Sequence, residues 1–593
     1  MNPVATAAQF SVSAKSLGVA LACGIFVSGT ANAQEAPLPT GQTRGELETP
    51  ELEDDRTDSI STEFRRDSGS RQSCPFDENG TRVSINQLQF VDGRPVSAGG
   101  NGAIAPELAE SLARVPQPSG EYSLTAICDL RDAANDALRR DGWIATVQVP
   151  PQELEGTLTL NVISARLTEI RITGETGPYR DLLQDLLAPL TQLDPLNERD
   201  AERILLNAND VPGLDVRLAL APAGEGGGAV VGNLSANYER FAAYVNARNY
   251  NAASIGRETV FGRVEYYGLT GLSDITHIAA QTTVDFNEQF IVEVGHEFGV
   301  GSQNIRIGTS AVYASARPDI QDLDLQTDTF VANVNASYPW LRTPLTAVDF
   351  TLGFDFAEQE TSVGPVPISK DSLRTFYVRG DIQGQMRRLN RDPLFAYSGF
   401  LEVRQGVSFL GATDFGEFGT SQTDGVTASR PFGFADATVM RGAADVTWFP
   451  VRGFDIRGRV EGQLTNRPLL NFDEFAIGNL SIGRGYDPGA NSGDRAIGGV
   501  AEATATLFNQ AQHRLRLFGF FDIVQLENLD RGTPDPRRTL RSVGGGLRYN
   551  FGPAINAELI FAEPLDRPLF FDNEDPPSRV LFSITTKFPA LVR

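Results

Sequence analysis

The stretch Arg514-Leu515-Arg516-Leu517-Phe518-Gly519-Phe520-Phe521-Asp522 decides how this chain folds. Leu515, Leu517 and Phe521 alternate with Arg514, Arg516 and Asp522. Successive side chains of a strand point to opposite faces, so an extended segment here has one apolar face and one charged face. The same alternation runs along 454–465, where Phe454, Ile456, Val460 and Leu464 oppose Asp455, Arg457, Arg459, Glu461 and Gln463. Along 500–508, Ala501, Ala503, Ala505 and Leu507 oppose Glu502, Thr504 and Thr506. Segments of about ten residues with this pattern recur from Leu234 to the C-terminus, as in strands that cross a membrane. A soluble sandwich alternates too, but its polar face meets solvent on the outside; charges on so many consecutive strands fit a wet lumen better. The reading is a C-terminal transmembrane antiparallel β-barrel over 234–593, of about sixteen strands, with fourteen or eighteen left open by uncertain strand ends.

Connection lengths give an independent check. If the first strand rises from the periplasm, the links after odd strands are extracellular; they include 362–367, 411–433, 466–494, 527–537 and 564–577. Links after even strands, such as 389–393, 509–512 and Gly552-Pro553, are short. Long loops outside and tight turns inside are the habit of outer-membrane barrels. The last strand, with Val580, Phe582, Ile584 and Phe588, fits a terminal barrel strand, although five residues follow its final aromatic.

Composition narrows the class in the same direction. The 593 residues carry 75 acidic and 51 basic side chains, a formal charge of −24 that argues against nucleic acid as a partner. No apolar run is long enough for a helical span. The three His residues (277, 296 and 513) are scattered, so no metal centre is expected, and no cofactor site or nucleotide loop is found. Gly224 to Gly228 lacks the Lys-Ser/Thr of a phosphate loop and reads as linker. Isolated Ser, His and Asp residues offer no catalytic constellation, and Asp319, Asp322 and Asp324 lack the Gly and Glu of a calcium loop; the chain is not read as an enzyme.

The N-terminal part reads in pieces. Residues 1–33 form a secretory signal, with Lys15, an apolar core over 17–27 and the cleavage site Ala31-Asn32-Ala33. Residues 34–74 are acidic, Ser/Thr-rich and nearly free of aromatics, an arm that is disordered or partly helical near 46–54. Cys74 and Cys128 are an even pair in an oxidising compartment and are read as a disulfide, two free thiols being the alternative. Two approximately repeated strand–helix–helix–strand units follow, over 75–165 and 166–222, then a linker over 223–233. Units of this kind offer sheet edges and grooves, suited to holding an extended chain by strand addition.

Against this background a family resemblance stands out. Arg140-Asp141-Gly142-Trp143 and 149–158 (Val-Pro-Pro-Gln-Glu-Leu-Glu-Gly-Thr-Leu) resemble the first POTRA domain of two-partner-secretion outer-membrane transporters, the haemolysin secretion/activation type. Ile482-Gly483-Arg484-Gly485-Tyr486, followed by Ser492-Gly493-Asp494-Arg495, resembles the family's V-R-G-F/Y motif at the tip of a long sixth extracellular loop (here 466–495) that folds back into the pore. Phe518-Gly519-Phe520-Phe521-Asp522 resembles the barrel-wall segment whose Asp pairs with that Arg. The resemblance covers essentially the whole mature chain and implies two periplasmic POTRA domains before an outer-membrane barrel. It also implies a secreted, unfolded exoprotein as partner, contact with outer-membrane lipid, and a monomeric pore.

Two departures mark the motif. Gly483 stands where the family usually has Val, and Val451-Arg452-Gly453-Phe454 matches the tetrad literally but lies at a short inward turn. We read the second as a decoy. A loop of nearly thirty residues fixed in a wet lumen needs a directional anchor, which a bidentate Arg–carboxylate pair supplies. Arg484 is therefore expected to pair with Asp522, with Glu502 as second candidate; otherwise it is an ordinary solvated loop charge. The rival functions are a barrel insertase of the same superfamily, which usually carries more POTRA units, and a diffusion porin, which has no use for 75–222.

Overall fold

Sixteen antiparallel strands close on themselves in the computed structural model. It describes residues 42–47, 74, 76, 81–95, 100, 102–224, 227–301, 305–319, 323–388, 392–416, 419–478, 482–488, 491–530, 536–568 and 575–588. The expected signal at 1–33 and most of the arm lie outside these residues.

Alternation of the sequence becomes inside and outside of the wall. On the strand His513–Glu527, Leu517, Phe521 and Ile523 are exposed outward, whereas Phe518, Phe520, Asp522 and Val524 are buried inward. An outer apolar band facing lipid and closure without a free edge let every backbone group of the wall find a partner at membrane depth. Inward-facing ion pairs such as Arg457–Asp445, Arg459–Glu461 and Arg548–Glu558 line the bore. No helix among the described residues is long and apolar enough to cross a membrane.

Strand lengths are uneven. The first, Phe241–Arg248, has 8 residues, while the eighth, Val366–Arg387, has 22. Roughly ten residues cross a bilayer when tilted, so the longest strands project. The eighth pairs with the ninth, Pro393–Gly406, only from Thr375 onward, which leaves 366–374 standing above that neighbour. Here one expectation fails: 362–367 is no long loop. Val363 pairs directly with Val366 across a tight turn at Gly364, because the alternation simply continues past the membrane.

Before the barrel, β1 (Arg82–Asp92), α2 (Pro106–Leu112), β2 (Gly120–Ser123), α3 (Thr125–Arg140), β3 (Ala145–Gln148) and β4 (Gly156–Ser164) form the first unit, α1 being the short helix Arg44–Leu47. Its sheet order is β2-β1-β4-β3, with β1 and β4 parallel. Ile85, Leu108, Leu138 and Leu158 are among its buried core. The second unit is β5 (Arg166–Gly174), α4 (Arg180–Leu187), α5 (Glu198–Asn209), β6 (Leu214–Pro222) and β7 (Ala229–Tyr238), in the order β5-β7-β6.

β7 corrects the expected boundary. The linker placed at 223–233 and the barrel start placed at 234 divide a strand that belongs to the second unit, parallel to β5 and antiparallel to β6. Its alternation matches a barrel strand, and only its partners reveal where it belongs. Leu234 is fully buried in the second unit's core. The barrel begins at Phe241.

The pieces are bonded to one another. Ile144 N donates to Leu196 O at 3.1 Å and Glu198 N to Gly142 O at 2.8 Å, joining the two units. Tyr238 Oη donates to Tyr267 O at 2.6 Å, and Arg342, near the end of the barrel strand Leu325–Thr343, meets Asp210 at 3.0 Å, joining the second unit to one end of the barrel. Cys74 and Cys128 are bonded as a disulfide.

Candidate functional site: a loop pinned inside the barrel

The segment 466–494 leaves the strand Phe454–Thr465 at the end of the barrel opposite the N-terminal units and returns into Arg495–Gln510. Between them the chain descends into the bore. Phe475–Ala476 pairs with Ser492–Gly493 as a narrow two-stranded stem, and the tip, 482–486, reaches the wall.

Arg484 is 4% exposed and fully engaged. Its Nη2 donates to Asp522 Oδ1 at 2.9 Å and its Nε to Asp522 Oδ2 at 3.1 Å, a bidentate pair. Nη1 donates to Glu502 Oε2 at 2.8 Å. The backbone N–H of Arg484 also donates to Asp522 Oδ2, at 3.1 Å. Both candidate partners therefore hold the same guanidinium, one on each of two adjacent strands. The guanidinium carbon sits 3.5 Å from the centroid of the Phe520 ring, so a cation–π face closes the remaining side. Removing water from a charge is costly unless its hydrogen bonds are replaced, and here they are.

The rest of the tip fits around that pair. Gly483 has φ +73°, a left-handed conformation that a β-branched residue strongly avoids, which accounts for glycine where the family motif has Val. A Cβ on Gly485 would lie 2.7 Å from Ser542 Cβ and 3.0 Å from Pro564 N, so only glycine passes this close to the wall. Ile482 and Tyr486 are 1% exposed and pack with Val524, Leu526 and Leu540. Tyr486 Oη donates to Arg541 O at 2.7 Å.

Three residues that sequence reading missed complete the site. Arg548 pairs with Glu502 on its other oxygen and lies 3.9 Å from the Phe518 ring, repeating one rung away the arrangement around Arg484. Alternating Phe518 and Phe520 on the inward face of the wall segment was the legible signal for both. Arg579, on the last strand Arg579–Phe588, donates Nη1 to the carbonyls of Gly478, Arg484 and Tyr486. Arg44 comes from the arm: α1 lies within the bore, where Arg44 pairs with Asp355 of the wall at 2.9 Å and with Asp473 of the loop at 3.4 Å. Glu46 Oε2 accepts from both the backbone N–H and the hydroxyl of Thr43 at the start of this helix, which begins before the 46–54 stretch expected to be helical.

The decoy tetrad stays out of the bore. Arg452 sits in the turn between Thr438–Val451 and Phe454–Thr465, its side chain 88% exposed, with Asp392 at 3.1 Å.

No family model matches the chain. The heme/hemopexin transporter protein HuxB of Haemophilus influenzae is 21% identical over 561 residues, spanning 92% of this chain and 94% of the relative. Among solved structures, CdiB from Escherichia coli superposes at a TM-score of 0.66, with 18% identity over 88% of this chain and 94% of that one. CdiB from Acinetobacter baumannii gives 0.58, with 15% identity over 91% and 94%. The shared fold is a closed antiparallel β-barrel preceded by small α/β units, and the likeness spans nearly the whole chain.

Proposed function

We propose that this chain is the outer-membrane pore of a two-partner secretion pair. It takes an unfolded partner exoprotein in the periplasm through its two POTRA-like units and passes it to the cell surface or medium. The observation that carries this reading is the loop tip bound through Arg484 to Asp522 and Glu502 inside an ionic bore. A diffusion channel gains nothing from such a plug, whereas a pore that opens only for its client must be closed at rest. HuxB, named as a heme/hemopexin transporter, is a relative that supports export or transport over an enzymatic role.

The N-terminal units supply a receiving edge. Among the described residues β5 pairs only with β7, so the other edge of β5 is open. Ile170, Ile172 and Leu187 line the groove between that edge and α4, with Arg171 and Arg180 at its rim. Backbone donors and acceptors along such an edge recognise an extended chain whatever its sequence, and the groove beside it takes alternate side chains. A charged, hydrated bore then offers little for apolar side chains to stick to. Neither cofactor nor nucleotide has a role in this scheme, and folding of the passenger outside supplies the drive.

The insertase alternative rests on one feature: the closing seam, where the last strand meets the first, has only six paired residues, from Ser583↔Arg248 to Phe588↔Ala243. Deleting the gene and comparing proteomes separates the two. Loss of one large protein from the surface and medium, restored by the parent chain, supports secretion; depletion of many outer-membrane barrels supports insertion instead.

A further inference from the structure

The loop 466–494 is held at a second place, far from its tip. Arg430, on the 407–437 loop, is 8% exposed and reaches three other segments at once. Its Nη2 donates to Asp494 Oδ2 at 3.1 Å and its Nε to Asp530 Oδ2 at 2.9 Å. Nη1 also bonds Asp494, donates to Leu469 O at 2.8 Å and makes a charge contact with Glu474 at 2.7 Å. Leu469 and Glu474 begin the pore loop, Asp494 ends it, and Asp530 belongs to the 528–536 connection.

Asp494 is completely buried and takes two further donors, Leu469 N at 2.7 Å and Leu529 N at 2.6 Å. The 407–437 loop is itself rooted. It carries a small sheet (Asp414–Phe415, Ser421–Thr423, Val426–Thr427), and Ser429 N donates to Asp371, on the projecting part of the eighth strand, at 2.8 Å. None of these contacts touches Arg484, Asp522 or Glu502.

We propose that Arg430 is a second lock on the pore, set at the extracellular mouth, which ties the 407–437 loop to both ends of the pore loop and to 528–536 and must release before a polypeptide can leave. The proposal rests on the pore reading above. Arg430 is a positioning residue: it closes the mouth through the loops it joins. One guanidinium faces three carboxylates, so its removal leaves Asp494, Glu474 and Asp530 repelling one another across the loops they belong to. Lysine cannot serve Asp494 and Asp530 together, because its ammonium is a point charge without the planar fork of arginine.

The test uses the purified full chain in planar bilayers, together with vancomycin entry into cells that make the chain without its partner. Arg430→Met is expected to lengthen open time and raise vancomycin sensitivity about tenfold over the parent, in keeping with loss of a buried, multiply bonded charge. Arg430→Lys should fall between the two. Arg467→Met, which removes an exposed pair with Asp436 at 2.9 Å on the same rim, should match the parent. Folding is read from heat-modifiable migration on gels. Should Arg430→Met not fold, Glu474→Gln keeps the shape, removes one contact, and is expected to give a smaller increase of the same sign. Arg430→Met indistinguishable from Arg467→Met, or a folded Glu474→Gln at parental level where Arg430→Met is lost, overturns the lock. If Arg484→Ala opens the pore while the Arg430 variants do not, the lock alone is wrong; if no variant conducts, the pore reading fails with it.

Discussion

Two arginines of this chain stand in nearly the same four letters, and they do opposite things. Val451-Arg452-Gly453-Phe454 matches the family motif to the letter, yet Arg452 is solvated at a tight turn beside Asp392. Gly483-Arg484-Gly485-Tyr486 departs from the motif, yet Arg484 is buried and bonded to two strands of the wall. What separates them is the length of chain on either side. A two-residue turn cannot carry its arginine into the bore; a loop of nearly thirty residues can, and then must be anchored against the conformational freedom it gives up.

The largest effect expected from this contrast is on secretion. Arg484→Ala leaves Asp522 buried without a cation and Glu502 with Arg548 alone, a loss of about 3–5 kcal/mol for a broken buried pair. Export of the partner, measured by immunoblot of the medium, should drop by about 100-fold or lose its gating, whereas Arg452→Ala stays within about twofold. Equal losses for both would erase the distinction.

Reversing the pair probes its direction. Arg484→Asp with Asp522→Arg should regain part of the activity that either single change abolishes. Full recovery is not expected, because Asp522 also accepts the backbone N–H of Arg484 and the hydroxyl of Ser542. A double variant as inactive as the singles would refute the pairing as the functional element.

A subtler change restores the family residue. Gly483→Val forces a β-branched side chain into φ +73°, at a cost of about 1–3 kcal/mol. The pinned state should lose about tenfold in population, seen as longer open times in bilayers. Gly453 has φ +78° in its own turn, so Gly453→Val carries comparable strain but should alter only the stability of the hairpin, not conductance. The smallest effect belongs to Arg484→Lys, which keeps the charge and loses the fork. Opening should be intermediate between parent and Arg484→Ala, and the same change at Arg452 should be silent.

The sequence disclosed the barrel because strand alternation is a local property: Leu517 and Phe521 against Asp522 is readable without knowing any partner. It pointed to Arg484 and Asp522 through the resemblance of their motifs, and to Glu502 through the polar face of the neighbouring strand, which is a local property. What escaped was whatever depends on a partner far along the chain. β7 alternates like a barrel strand and is assigned only by its pairing with β5 and β6. Arg430 lies in text with no periodicity or motif, and Arg579, although it opens the alternating last strand, belongs to no motif; their roles appear only when the loops meet. α1 was partly readable, since Thr43 and Glu46 have the spacing of a capping box, but its place in the bore rests on Asp355 and Asp473, more than 300 residues away.

One recording tests whether a lipid-embedded cylinder is stoppered by its own loop. Parent and Arg484→Ala chains are purified in detergent and added to planar bilayers under the same voltage. Brief, infrequent openings are expected for the parent and long-lived openings of larger conductance for the variant. Silent membranes with both proteins, or identical traces from the two, would contradict a pore stoppered in this way.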